Sequence, residues 1–460
     1  MALTLDFNKT EMKKKFLYII LPALLIVTAC NKSLNQQPQA SLDASIGYNT
    51  KQGIEAGIVG VYDGLQQTGY MSLNYLVFPD MYADNIVWTG TFPTFSQVYN
   101  KTILADNTDV NTIWNAIYNT INRANGIIAA APSVADPSFA KDRAIGECET
   151  IRAVAYFDLI RMFGGSPTGY NQSGGLGVPL RLAPTLTTTD AVAIARSSEA
   201  DVYTQILKDL DDAIAKLPTS VGTGRVNKYV AQAMEARVQL YRQQWAAAEG
   251  FATGIITSGA YSLVSGANYA TIYTGKNSSE SLWELQYNAT DANNLAFYYY
   301  PSNFGGRNEI GSTTSLRDAF EAGDVRKPVN YSVAPPTGKT LKYTQANPGI
   351  DDVMMMRLAE VYLTRAEARA MQNNLLGATQ DLNIIRLRAG LTPTVAVTQA
   401  DLITAIAKER RLELAHEGQR FFDQRRYGTT GIVQTFRNLF PIPYNEVLNA
   451  RGVVVQNPGY

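Results

Sequence analysis

The sequence predicts a mostly α-helical protein, a scaffold of packed helix pairs carrying a long, irregular, loop-rich insert. Three observations lead there. From about residue 50, apolar residues recur three or four apart in runs closed by Gly, Pro and Asn clusters. Strand signals are sparse, chiefly Ser281 to Tyr287 and the apolar Val453 to Val455. Between Ser258 and Asp352 the helical period lapses, apart from a run at about Leu316 to Glu321, and Tyr, Asn, Gly, Ser and Thr take over.

The first segment is an address. Lys13, Lys14 and Lys15 precede an apolar run from Phe16 to Val27, too short for a helix across a hydrocarbon core of roughly 30 Å. The small residues Thr28 and Ala29 then stand immediately before Cys30, which is the pattern of a bacterial lipoprotein signal. Residues 1–29 therefore read as a signal peptide, initiated at Met1 or at Met12, and Cys30 as the lipidated residue. Residues 30–49, with Gln36, Gln37 and Pro38, read as a polar tether, and 50–460 as one domain.

Within that domain Trp114, Ile117, Tyr118, Ile121 and Asn125 mark one helix. Ile151, Val154, Ala155, Leu159 and Met162 share a face of the next, which Gly164 and Gly165 end. Further helices are expected at about 199–216, 228–244, 245–257, 353–372, 376–389 and 399–417. Two stretches resemble one another: Ala233-Met-Glu-Ala-Arg237 before Trp245-Ala-Ala-Ala-Glu249, and Arg365-Ala-Glu-Ala-Arg369 before Gly377-Ala-Thr379. Each sets an Ala-rich helix before a second one, as in tetratricopeptide-type pairs, where small residues allow close approach. The period is irregular, so a few degenerate pairs are expected.

Composition narrows the function. Forty Lys and Arg balance forty Asp and Glu, and loss of residues 1–29 leaves 36 against 38. Nothing in that balance draws the chain to nucleic acid. A single histidine, His416, and two cysteines, Cys30 and Cys148, supply neither a His-rich zinc site nor a disulfide framework, so no metal or cofactor is expected. Glu409, Glu413 and Glu417 fall on one helical face, where like charges repel. Arg386, Arg388, Arg420 and Arg425 are the candidate counter-charges. A carboxylate pair can hydrolyse glycosides across a sugar cleft, but these acids sit in an Arg-dense helix and are read as structural, as is His416. Cys148 is read as a packing residue, and the chain as a non-catalytic protein.

Twenty-six tyrosines in a weakly charged chain suit stacking on flat, uncharged partners. Long irregular stretches tend to be functional, and two aromatic segments stand out, 70–99 and 258–352. In the first, Trp88 follows Tyr82, Asp84 and Asn85, an aromatic platform beside polar groups. In the second, Phe297 is followed by Tyr298, Tyr299 and Tyr300, then Asn303, Phe304 and Arg307. Neither helix nor strand buries four consecutive aromatics on one face, so at least one is expected to be exposed.

The combination of motifs resembles the SusD/RagB outer-membrane lipoproteins, glycan-binding partners of TonB-dependent transporters in Bacteroidetes. The matching residues are Trp114, Tyr118, Ile121, Ala124 and Asn125; the run from Arg152 to Gly165; Asp209 to Pro218; Gly224 to Lys228; and Arg357 to Ala368. The C-terminal signature runs from Glu409 through His416-Glu-Gly418 to Arg426, followed by Phe440-Pro-Ile-Pro443 and Gln456-Asn-Pro-Gly-Tyr460. The resemblance implies a tetratricopeptide-like scaffold facing a SusC-like TonB-dependent outer-membrane transporter, with irregular loops that bind an oligosaccharide. It further implies a lipid anchor in the outer membrane, on the extracellular side. Ligand residues vary among members, so none is carried over by motif. Two alternatives fit the same residues: a helix-repeat assembly scaffold docked on an outer-membrane barrel, and binding of another nutrient such as peptides.

Overall fold

A computed structural model of the chain describes residues 47–171 and 174–460. Residues Asn49–Tyr460 form one unit. The signal peptide, Cys30 and nearly all of the tether lie outside the described residues. Among those that are described, no helix is long and apolar enough to cross a membrane.

Helix α1 (Lys51–Leu65) starts where the Thr50 side chain accepts from the Gly53 N–H at 3.1 Å. It buries Ile54, Ile58, Val61 and Leu65, spaced three and four apart. Helix α2 (Asn74–Tyr82) is buried throughout, leads into strand β1 (Ile86–Trp88), and is followed by α3 (Pro93–Tyr99). Helix α4 (Thr108–Ala130) is capped by Asn107, whose side chain accepts from the Asp109 and Val110 N–H groups. The same Asn107 donates to the Thr94 carbonyl, fixing α3 against the start of α4. Helix α5 (Lys141–Phe163) is almost wholly buried from Ala144 onward, so it carries core on every side. Strands β2 (Leu176–Pro179) and β3 (Arg196–Ser198) form a short antiparallel pair before α6 (Glu199–Lys216).

The two Ala-rich stretches form the expected pairs. Helices α7 (Lys228–Tyr241) and α8 (Trp245–Ser258) make one, and α13 (Leu358–Met371) and α14 (Leu375–Arg388) the other. Ala248 of α8 and Ala368 of α13 meet with Leu240 in one buried cluster, so methyl-sized side chains seat one pair on the other. A second cluster joins Ala359, Leu363, Ala366 and Ala370 to Ala378, Leu382 and Ile385 of α14, and to Leu402 and Ile406 of α15 (Gln399–Glu413). Helices α16 (Arg420–Tyr427) and α17 (Tyr444–Asn449) follow.

Two expectations about strands need correction. Val353–Arg357 is strand β6, paired antiparallel with β4 (Ser281–Leu285), and α13 begins only at Leu358. Three consecutive methionines favour a helix locally; pairing with β4 overrides that preference. Val453 to Val455 is not a strand; Val453 and Val455 are exposed, in a turn and the irregular chain after it. The insert is also more ordered than its composition suggests, with short helices α9 (Thr271–Thr274), α10 (Leu295–Tyr299), α11 (Thr314–Ala319) and α12 (Lys327–Asn330), and strand β5 (Ile310–Ser312).

Candidate functional site

The two aromatic segments singled out in the sequence are zipped together. Strand β1 pairs antiparallel with β5, Ile86 opposite Ser312, Val87 opposite Gly311 and Trp88 opposite Ile310. The Thr89 N–H then donates to the Glu309 carbonyl at 2.8 Å, extending the pairing toward Arg307. Residues distant in sequence thus build one surface.

That surface is a ladder of rings. Trp88 lies 4.8 Å from Phe95 and stacks on Phe92 at 6.4 Å, with 23° between planes. Phe95 stacks on Tyr298 at 5.6 Å and 3°. The Arg307 guanidinium sits over the Phe92 ring, 4.7 Å from its centroid, while pairing with Glu309 at 2.6 Å. Phe297 meets Tyr298 edge-on at 5.8 Å. Phe92, Phe297 and Tyr298 are half-buried, whereas Asn303, Arg307 and Asn308 are exposed and Phe304 is 49% exposed. Trp88, only 8% exposed, is the floor of this patch rather than its face. Its indole N–H finds no acceptor among the described residues. The arrangement offers apolar ring surface rimmed by amides and one guanidinium, suited to a flat polyhydroxylated ligand.

The other nominated residues turn inward, because the protein has already used their polar atoms. Tyr82 packs between Phe421 and Phe440, each 4.9 Å away, and donates to the Arg437 carbonyl at 2.7 Å. Asn85 is fully buried, donating to Asp80 at 2.6 Å and accepting from Arg411 at 3.1 Å. Asp84 accepts two hydrogen bonds from Arg420, at 2.6 and 3.0 Å, and pairs with Arg411 at 3.1 Å. Burial raises its carboxyl pKa, but the two guanidiniums outweigh that and hold it below the ordinary value. The Tyr299 hydroxyl is 2.9 Å from His416 Nδ1, and Tyr300 donates to the Thr340 carbonyl at 3.1 Å. Exposure, the ground for nominating Tyr82, Asn85, Trp88, Tyr299 and Tyr300, is therefore absent. Phe92 and Phe95 were not singled out in the sequence, whereas Phe297 was named only as the head of the aromatic run. Phe92 and Phe95 carry a signal, two rings three apart just beyond Gly90.

The carboxylate row is structural. Glu409, Glu413 and Glu417 are buried and ion-paired. Arg326 meets Glu409 at 2.6 Å and Glu413 at 3.0 Å; Arg357 meets Glu417 at 3.0 Å and also pairs with Glu413; Lys342 meets Glu417 at 2.6 Å. Burial pushes the Glu413 carboxyl up, but Arg388, Arg357 and Arg326 hold it well below the ordinary range. Of the four expected counter-charges, Arg386 and Arg388 belong to the network. Arg420 instead pairs with Asp84, and Arg425 donates to the Arg161, Gly164 and Ser166 carbonyls. His416 is buried between Tyr299 and Ser312, and burial together with Lys342 pushes its pKa down to about 3, leaving it neutral. Cys148 is buried in α5, and desolvation raises its thiol pKa well above the ordinary value, the opposite of a reactive cysteine. No group of His, Cys, Asp and Glu among the described residues is arranged to hold a metal.

A model of the SusD family matches residues 325–434, and a second, described as starch-binding associating with outer membrane, matches residues 32–240. The SusD-like protein P38 of Formosa agariphila is 25% identical over 467 residues, covering 88% of this chain and 90% of that one. The crystal structure of a SusD superfamily protein from Bacteroides thetaiotaomicron matches with a TM-score of 0.75 at 25% identity, over 89% of this chain and all of that one. A laminarin binding SusD-like protein also matches with a TM-score of 0.75 at 25% identity, over 90% of this chain and 100% of its own. With both family models placed on the helical scaffold and the fold shared along nearly the whole chain, this protein belongs to the SusD-like family.

Proposed function

We propose that the protein is a non-catalytic binding lipoprotein of the outer membrane, anchored through Cys30, that captures an oligosaccharide and passes it to a TonB-dependent transporter barrel. The observation that carries the ligand class is the ring ladder of Phe92, Tyr298 and Phe297, with Phe304, Asn303, Arg307 and Asn308 exposed beside it. Sugar rings present apolar C–H faces and a rim of hydroxyls, which such a surface complements. The balanced charge favours a neutral ligand, and the starch-binding family model and the laminarin binding neighbour belong to the same ligand class. The ion-paired state of Glu409, Glu413 and Glu417 supports a protein without hydrolytic chemistry.

Calorimetric titration of the chain from residue 31 onward with laminari- and malto-oligosaccharides tests this reading. Dissociation constants of roughly micromolar to millimolar are expected, because desolvating hydroxyls offsets much of the stacking gain. Arg307→Ala should weaken binding about tenfold, a loss of ~1.4 kcal/mol. No heat with any glycan, or full affinity in both Arg307→Ala and Tyr298→Ala, would count against the site. Co-purification of the anchored chain with an outer-membrane barrel tests the transporter, and a Cys30→Ser chain released from the membrane tests the anchor.

A further inference from the structure

A second surface carries the same chemistry without the rings. Two adjoining cavities, about 250 and 260 Å³, run along α4 and share Tyr118, Asn119 and Arg181. Asn115, Asn119 and Asn122 point into them from successive turns of the helix, at i, i+4 and i+7. The opposite wall is the chain after β2, held in place from the helix. Asn125 donates to the Arg181 carbonyl at 2.8 Å, Tyr118 to the Pro179 carbonyl at 2.9 Å, and Asn122 accepts from the Thr185 N–H at 2.7 Å. The groove is thus built before any ligand arrives.

Its remaining polar groups are unspent. The Asn115 and Asn119 side chains are exposed and make no hydrogen bond among the described residues. Arg181 donates from one guanidinium nitrogen, Nη2 to the Val192 carbonyl at 2.7 Å, which leaves Nε and Nη1 without an acceptor among the described residues. Glu446, from α17, lines the same cavity and forms no ion pair among the described residues. An amide both donates and accepts, as each hydroxyl of a sugar does; a guanidinium only donates and a carboxylate only accepts. Arg181 and Glu446 cancel in charge, so the groove selects neither an anion nor a cation. We propose that this groove is a second carbohydrate subsite, reading hydroxyls through Asn115, Asn119, Arg181 and Glu446, where the ring ladder reads C–H faces.

The inference rests on the reading that the ligand is a glycan, and the two are separable by experiment. The full chain in detergent is titrated by calorimetry with laminarihexaose and maltohexaose, alongside an Asn115→Ala/Asn119→Ala double variant and Arg307→Ala. Both asparagines are exposed and unpartnered, so the double variant should fold as the wild type does. The expected result is two sites per chain for at least one sugar, with the double variant reduced to one. Glu446→Gln, which keeps an acceptor, should weaken the groove site by less than the roughly tenfold expected of Glu446→Ala. One site that is lost in Arg307→Ala and intact in the double variant would overturn the groove and leave the ring ladder standing. Binding lost in the double variant and unchanged in Arg307→Ala would do the reverse. No binding of either sugar would overturn both.

Discussion

Replacing Arg357 by Met takes one cation out of the buried heart of an ionic network. Arg357 is fully buried in β6 and donates to Glu280 at 3.0 Å, to Glu417 at 3.0 and 3.2 Å, to Glu413, and to the Glu413 carbonyl at 2.7 Å. Each acid keeps another partner: Arg388 for Glu280 at 2.8 Å, Arg326 for Glu413 at 3.0 Å and Lys342 for Glu417 at 2.6 Å. The net charge of the cluster nevertheless becomes more negative by one in a medium that screens poorly. Removing one member of a buried ion pair typically costs about 3–5 kcal/mol. A unit the length of Asn49–Tyr460 unfolds with an entropy of about 0.9 kcal/mol per degree, so the melting temperature should fall by about 3–6 °C. Scanning calorimetry in 0.05 and 1 M NaCl reads both the size and the origin, since screening reaches surface pairs and not buried ones. Adding Glu280→Gln should recover part of the loss, because it removes one of the stranded charges. A melt within 1 °C of wild type, or a loss that high salt erases, would refute the assignment of Arg357 as the hub of a buried network.

A Cβ at Gly90 would lie 2.3 Å from the Trp88 ring, which Phe95 backs at 4.8 Å, so Gly90→Ala should cost about 1–3 kcal/mol and shift tryptophan emission; an unchanged spectrum and melt would show that the ring is free to retreat. His416 is held at a pKa of about 3 by burial and Lys342, against about 6.5 when unfolded. A cationic group depressed in this way contributes stability that is complete above pH 6.5 and lost as pH falls toward 3. The melting deficit of His416→Gln relative to wild type should therefore shrink below pH 6.5, by about 1.4 kcal/mol per pH unit, and a constant gap in calorimetric scans would refute it. Asp84→Ala frees Arg420 and Arg411 at a partly exposed site, so a loss of about 1 kcal/mol in stability is expected, readable by denaturant titration, where a purely ligand-contacting acid would leave stability unchanged.

What the sequence disclosed was the local part of the fold. The α4 and α5 faces, the two Ala-rich pairs and strand β4 at Ser281 follow from local pattern alone, because the period of a helix or strand is written within a dozen residues. Strand β6 was hidden, since its state depends on an edge offered by β4, about seventy residues earlier. The same division runs through the site. Arg386 and Arg388 were legible as counter-charges from their dense neighbourhood; Arg326, Lys342 and Arg357 come from the insert and β6, where nothing local announces them. Trp88 and Tyr299 were identified by ring and neighbourhood, but whether a ring faces solvent or core is settled by what packs on it.

The misplaced candidates also show how the ring ladder is held. The end of α15, the turn after it and the start of α16 fasten the first segment: the Gly418 N–H donates to Asp80 in α2 at 2.7 Å, Arg420 clasps Asp84, and Arg411 bonds Asn85. From the other side the His416 ring bridges the hydroxyls of Tyr299 of α10 and Ser312 of β5, at 2.9 and 3.0 Å, while the Thr313 hydroxyl donates to the Asp84 carbonyl at 2.7 Å. Asp84, Asn85 and Tyr299 thus act as fasteners, one step behind the rings that face outward. A weak ligand with many hydroxyls gains little from each contact, so a surface that had to order itself on binding would lose most of that gain to entropy. Anchoring β1 and β5 to a buried ionic scaffold removes the cost beforehand. On the proposed reading, Arg411, His416, Gly418 and Arg420 of the C-terminal signature would serve binding indirectly, by holding the segments that carry Phe92, Phe95 and Tyr298 in place before any sugar arrives.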